Sequence, residues 1–106
     1  MYVSLTAIRV PPTQMQTMIQ LLETHYLSAA RQQPGFIRSY LLEQIDDPNR
    51  AQLIQVWNSQ ADLEAFRQSG VSDEANRTLH QQIPGLQMQS QGYVVRVQPG
   101  DTLPPA

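Results

Sequence analysis

The stretch Leu53-Ile54-Gln55-Val56-Trp57 runs straight into Asn58-Ser59-Gln60-Ala61-Asp62. A short apolar run with β-branched members reads as a strand. Ser59, followed three residues later by Asp62, reads as a helix start in which side chain and backbone cap one another. Trp57 is the only tryptophan of the chain, and it stands at the junction. A large flat ring there has two readings. It plugs a core, because aromatic side chains dominate cores, or it walls a pocket between sheet and helix. The run is also apolar on both faces, with Leu53 and Trp57 on one and Ile54 and Val56 on the other. A strand of that kind is buried on both sides.

Working back from this stretch, Ala51 to Asn58 is the third strand. Asp46-Asp47-Pro48-Asn49-Arg50 is a turn, with Pro48 presetting φ and Asp and Asn bonding locally to the backbone. Gly35 to Asp46 is the second strand, antiparallel to the third through this hairpin. Strict alternation puts Phe36, Arg38, Tyr40, Leu42 and Gln44 on one face, and Ile37, Ser39, Leu41, Glu43 and Ile45 on the other. Pro34-Gly35 stops a helix predicted over Thr13 to Gln33, whose inward stripe is Met15, Met18, Ile19, Leu22, Tyr26 and Ala29 or Ala30. Pro11-Pro12 ends a first strand from Tyr2 to Val10.

Forward from the stretch, Leu63 and Phe66 face inward from a short helix ending near Gly70. A second helix runs from Ser72 to about Gln82, and Pro84-Gly85 terminates it. Leu86 to Val97 is the last strand, with Gly92 a bulge or a close-approach site, and with Tyr93, Val95 and Val97 set against Val94. One domain over residues 1–98 is expected, with 99–106 as a proline-containing tail. The order β-α-β-β-α(α)-β is that of the ferredoxin-like α+β sandwich. There is helix enough for one sheet face only. The other would leave several hundred Å² of apolar surface in water, which monomers seldom tolerate. A homodimer packed sheet against sheet through a two-fold axis follows.

Composition removes several function classes. The net charge is −2, and the seven basic side chains are all arginine and scattered, so no stripe exists to neutralise nucleic-acid phosphates. Absent cysteine removes disulfides, thiolate catalysis and thiolate metal sites. Two distant histidines without clustered carboxylates fail a metal ligand count, so no metal is expected. No nucleotide fingerprint or phosphate-cradling glycine loop occurs, and no NAD, FAD or ATP cofactor is expected. No apolar run approaches the ~18 residues of a membrane span. The N-terminus alternates as a strand rather than a signal peptide. A cytoplasmic protein is the reading.

Pro34-Gly35-Phe36, Leu42, Asp46-Asp47-Pro48, Val56-Trp57-Asn58-Ser59, Leu63-Glu64-Ala65-Phe66 and Ser69 together resemble the antibiotic biosynthesis monooxygenase domain, over roughly Val3 to Val97. The resemblance implies a dimeric α+β barrel with a ligand cavity between sheet and helices in each protomer. It also implies that the strand-end tryptophan, Trp57, lines that cavity. Family members include cofactor-free monooxygenases of polyketide phenols, quinol monooxygenases and haem-degrading enzymes. The haem-degrading branch carries a histidine on the helix after the tryptophan. Positions 60–70 contain none, and Arg67 stands there instead, which counts against haem.

Three functions follow in order. The first is a cofactor-independent monooxygenase of phenolic or quinol-type aromatics. The second is a non-catalytic dimer binding a hydrophobic ligand, and the third is a haem protein. Trp57 stacks on the ring, with Gln55, Phe66, Met18 and Leu22 as further substrate-binding candidates. Gln55 shares the Leu53–Trp57 face, where a buried amide needs a partner. His80, Tyr40 and Arg38 are the catalytic candidates, for proton removal or for holding an oxyanion. Each has a plainer reading. His80 flanks its helix as a partly solvated residue, and His25 sits at the edge of the first helix's stripe. Arg38 and Tyr40 lie either in the cavity or on the dimer face. Arg9 and Arg96 are solvated strand-end residues.

Overall fold

A computed structural model describes residues 1–97; the tail predicted over 99–106 lies outside the described residues. Four strands, β1 (Tyr2–Arg9), β2 (Phe36–Glu43), β3 (Arg50–Trp57) and β4 (Gln87–Val94), form one antiparallel sheet in the order β2-β3-β1-β4. The first helical segment is α1 (Met15–Leu22), a π-helical turn (Glu23–Leu27) and α2 (Ser28–Ala30), joined without a break. It opens later than predicted, because Thr13 sits at φ 69°, outside helical geometry. Two further helices, α3 (Gln60–Gln68) and α4 (Val71–Gln82), complete the layer. The α+β, ferredoxin-like order read from the sequence is the one observed. Among the described residues no helix is long and apolar enough to cross a membrane.

The junction after Trp57 forms for local reasons. Ser59 is the N-cap of α3: its Oγ accepts from Asp62 N–H at 3.2 Å and donates to Asp62 Oδ2 at 2.9 Å. The same Asp62 side chain fills the space where a Cβ on Gly35 would point. Gly35 has φ +86°, and its carbonyl accepts from Asn58 N–H at 2.7 Å. Only glycine meets both the left-handed backbone and the close approach. The Pro34-Gly35 stop and the Trp57-Asn58-Ser59 start are therefore two sides of one contact.

Alternation gives the sheet two unlike faces. On the face under the helices, Tyr2, Ser4, Thr6 and Ile8 of β1 and Ala51, Leu53, Gln55 and Trp57 of β3 are all buried. An aliphatic cluster (Ile8, Met18, Leu22, Leu53, Leu79, Ile83 and neighbours) fills one end of this interior. An aromatic cluster of Tyr2, Trp57, Leu63 and Phe66 fills the other, with Phe36 packed on it. Phe36 meets Trp57 edge-on at 5.4 Å, and Phe66 stacks on Trp57 at 5.8 Å.

Strict alternation fails in β2. Phe36 pairs with Trp57, but Arg38, not Ile37, pairs with Val56, so Ile37 is an extra bulged residue. One inserted residue reverses the faces on either side of it. Phe36 goes under the helices, while Arg38, Tyr40 and Leu42, opposite Val56, Ile54 and Gln52, lie on the open face. The expectation that Phe36 shares a face with Arg38 and Tyr40 is corrected by this bulge. β4 also departs from its reading as a strand buried on both sides. It is an edge strand whose far end passes out of the helical cover, and Tyr93 and Val94 remain 46% and 57% exposed. Gly92 keeps its register with Ser4 and serves as a close-approach site, because the Tyr2 ring lies over it.

Candidate functional site

A cavity of about 320 Å³ opens between the covered sheet face and the helices. Its floor is polar where a core would be apolar. Ser4 and Thr6 come from β1, Gln55 from β3 and Ser90 from β4, flanked by Leu53 and Met88. Strand alternation forces this placement, since Ser4 and Thr6 sit between Tyr2 and Ile8 on the same face. The roof is Leu22 and Tyr26 from the first helical segment and Ala75 and Leu79 from α4. Arg67, Ser72, Asp73 and Asn76 complete the wall.

The floor's polar atoms are partly paired. The Thr6 and Ser90 hydroxyls, on directly opposite residues, lie 2.7 Å apart. Gln55 Oε1 accepts twice, from Tyr26 Oη at 2.9 Å and from Trp57 Nε1 at 3.2 Å. Tyr26 reaches this amide from within the π-helical turn. A π turn inserts a residue into the helical ladder, and such turns recur at functional sites. Burial pushes the Tyr26 phenol above its ordinary 10.0, while the Gln55 hydrogen bond, Ser72 and the Arg67 charge act in the opposite direction. Ser72 Oγ, close to the phenol, is buried and meets the geometry of no hydrogen bond. Arg67 is itself paired with Glu64 at 2.7 Å on a partly exposed surface. Every buried polar side chain among the described residues, Ser4, Thr6 and Gln55, lines this one cavity. Buried polar groups cost free energy unless partnered, and the Thr6–Ser90 pair and the two bonds to Gln55 partner these in part.

A family model for antibiotic biosynthesis monooxygenase matches residues 1–78, which carry β1 to most of α4 and all the cavity residues named above except Leu79, Met88 and Ser90. The chain belongs to the antibiotic biosynthesis monooxygenase family. Comparison with curated proteins finds no match. Among solved structures, the chain is similar to a monooxygenase from ActVA-Orf6 of Streptomyces coelicolor in complex with nanaomycin D, at 20% identity and TM-score 0.78, covering 98% of this chain and 92% of that one. It is similar to SnoaB, a cofactor-independent oxygenase from Streptomyces nogalater, at 19% identity and TM-score 0.75, covering 94% and 97%. A conserved protein from Methanosarcina mazei aligns at 15% identity and TM-score 0.72, covering 87% and 90%. At these identities the likenesses establish a shared fold.

Within this member of the antibiotic biosynthesis monooxygenase family, the residues singled out from sequence are divided. Gln55 and Leu22 line the cavity. Trp57, Phe66 and Met18 do not: they are sealed in the core behind it, Trp57 at 0% exposure. Trp57 touches the site through its indole N–H on Gln55. Arg38 and Tyr40 are carried to the opposite sheet face by the Ile37 bulge. His80 and His25 are exposed and stand outside the cavity wall. Tyr26, Ser4, Thr6, Ser72, Asp73 and Asn76 were not singled out as site residues. For Ser4 and Thr6 the signal was present, as polar residues on a face shared with Tyr2 and Ile8. Tyr26 read as one more member of an apolar stripe. Among the described residues no three acidic or histidine side chains gather to hold a metal ion.

Proposed function

We propose that this chain is a cofactor-independent monooxygenase whose cavity binds a phenolic or quinol-type aromatic. The convergence of Ser4, Thr6 and Gln55 on one hollow of mixed polar and apolar lining carries this reading. Its volume lies within the range of small-molecule sites. Leu22, Leu53, Leu79 and Met88 supply apolar contact for a flat ring, and the floor hydroxyls and Gln55 supply polar contact for its oxygens. In such a reaction an electron-rich, deprotonated substrate reduces oxygen itself. For an anthrone, a ring CH2 and O2 become C=O and H2O. The protein's part is binding, exclusion of water and proton removal. Asp73, the carboxylate of the wall, accepts the proton, and Arg67 offsets the oxyanion that results.

Oxygen uptake with a panel of anthrones and hydroquinones tests the proposal. The wild type consumes one O2 per product, and Asp73→Asn slows turnover by about 10²-fold, the low end for a lost proton acceptor. Uptake no greater than buffer for every substrate would favour a second reading, a ligand-binding dimer without catalysis. One observation speaks for that alternative: neither imidazole faces the cavity. The same placement leaves no histidine on the wall to ligate a haem iron.

We further propose that the functional unit is a homodimer formed through the open sheet face. Tyr40, Leu42 and Tyr93 stand 49%, 47% and 46% exposed there. They surround half-buried Val3, Leu5, Ile54 and Val56. Light scattering at micromolar concentration is expected to give twice the 12.0 kDa of one chain. A lone single-chain mass would overturn the dimer.

A further inference from the structure

We infer that Gln55 is a one-way hydrogen-bond donor to the substrate, and that Trp57 is the residue that fixes its direction. The inference deepens the proposed function and rests on the cavity being an aromatic-ligand site. An amide side chain has a donor end and an acceptor end that are nearly the same shape. Either end can be turned toward a ligand unless something holds it. Here the acceptor end is held. Gln55 Oε1 faces both Trp57 Nε1–H and Tyr26 Oη–H. The two holders are chemically unequal. A tyrosine hydroxyl donates or accepts, and would tolerate either end of the amide. An indole N–H only donates, so an amide turned the other way would set its N–H2 against another N–H, deep in a wall where Trp57 is wholly buried. Trp57 therefore excludes the alternative orientation, and Tyr26 does not.

With both lone pairs of Oε1 taken, the free end of Gln55 is Nε2. Among the described residues Nε2 makes no hydrogen bond, and it is not sealed either, since Ser72 Oγ is the buried side-chain polar atom that lacks a partner. Gln55 as a whole is only 4% exposed and lines the cavity. What surface Nε2 keeps is cavity surface. The site thus selects a ring bearing an acceptor oxygen, a carbonyl or phenolate, at this point. It takes the same ring without one less well. Trp57 acts as a positioning residue: it shapes specificity without touching the ligand.

The test uses 1-tetralone, a bicyclic aryl ketone, and tetralin, the same skeleton without the carbonyl. Affinities come from calorimetry on the full chain. The readout is the tetralone-over-tetralin preference, which cancels losses of general packing. The wild-type preference should exceed that of Gln55→Leu by about tenfold, the worth of one ordinary hydrogen bond. Trp57→Phe should fall to the Gln55→Leu value, while Tyr26→Phe stays within about twofold of wild type because the indole still holds the amide. A preference kept in Trp57→Phe, or lost equally in Tyr26→Phe, overturns the inference. A wild type that binds both probes without preference also overturns it, and leaves the aromatic site standing. Binding of neither probe removes both. Should Trp57→Phe fail to fold, isotope-edited NMR of the wild type decides. Gln55 N–H2 protons in contact with bound tetralone support the inference, and a strong cross-peak to the single indole N–H proton overturns it.

Discussion

The two faces of the sheet break the usual rule in opposite directions. Under the helices, where side chains should be apolar, Ser4, Thr6 and Gln55 are buried. On the open face, where they should be polar, Tyr40, Leu42 and Tyr93 stand in solvent beside Ile54 and Val56. Within, polar side chains are buried beside a cavity; without, apolar side chains face solvent. The lesson is that departures from burial statistics are informative one face at a time. Pooled over the molecule they would cancel.

Substitutions can break this contrast, and the largest effect is expected behind the cavity. Trp57→Ala removes the centre of the aromatic cluster and should cost about 3–5 kcal/mol of folding stability, read from denaturant midpoints. Gln55→Leu should cost less, about 1–3 kcal/mol, because it strands the buried indole N–H without an acceptor. The double change Thr6→Val with Ser90→Ala removes both members of a hydroxyl pair, so folding should change by under about 1 kcal/mol. It should nevertheless weaken ligand binding, and that divergence would mark the floor as built for a ligand. On the open face, Tyr40→Ser should move the stability of the isolated chain by no more than about 0.5 kcal/mol. In a mass measurement across dilution it should shift the dimer toward single chains. Equal costs on both faces would erase the distinction.

The pH dependence sharpens the same contrast. Burial raises the Tyr26 phenol above its ordinary 10.0. Its contribution to stability is therefore present below pH 10 and is lost as pH rises through the folded-state value. An alkaline fall in Tm that Tyr26→Phe removes is the expected result. On the exposed surface, Arg31 holds Glu23 below its usual carboxylate value through their hydrogen-bonded pair. That contribution is lost instead as pH falls through the lowered value. Solvent screening keeps it to a few tenths of a kcal/mol at most.

Much of the fold was legible because its signals are local. Pro34-Gly35, Asp46 to Arg50, Ser59 with Asp62, and Pro84-Gly85 each set a boundary by backbone chemistry that needs no tertiary context. What escaped was carried by single inserted residues. Nothing in Gly35-Phe36-Ile37-Arg38 announces a bulge, yet that residue decides whether Arg38 and Tyr40 enter the cavity. The π-helical turn that aims Tyr26 at Gln55 is equally silent in an apolar stripe. The strand-end position of Trp57 is legible, but its sealing behind the cavity depends on packing against Phe36 and Phe66, and no periodicity encodes that. The histidines attracted attention through their chemistry alone, and their exposed positions withdraw it.

The extra residue at Ile37 also bears on the exposed border of the sheet. β2 is a border of the sheet, and a straight border strand would offer its backbone to any extended segment that came alongside. An irregular border spoils the repeat that such zippering requires. The register break at Ile37 therefore makes the beginning of this border a poor template for an added strand.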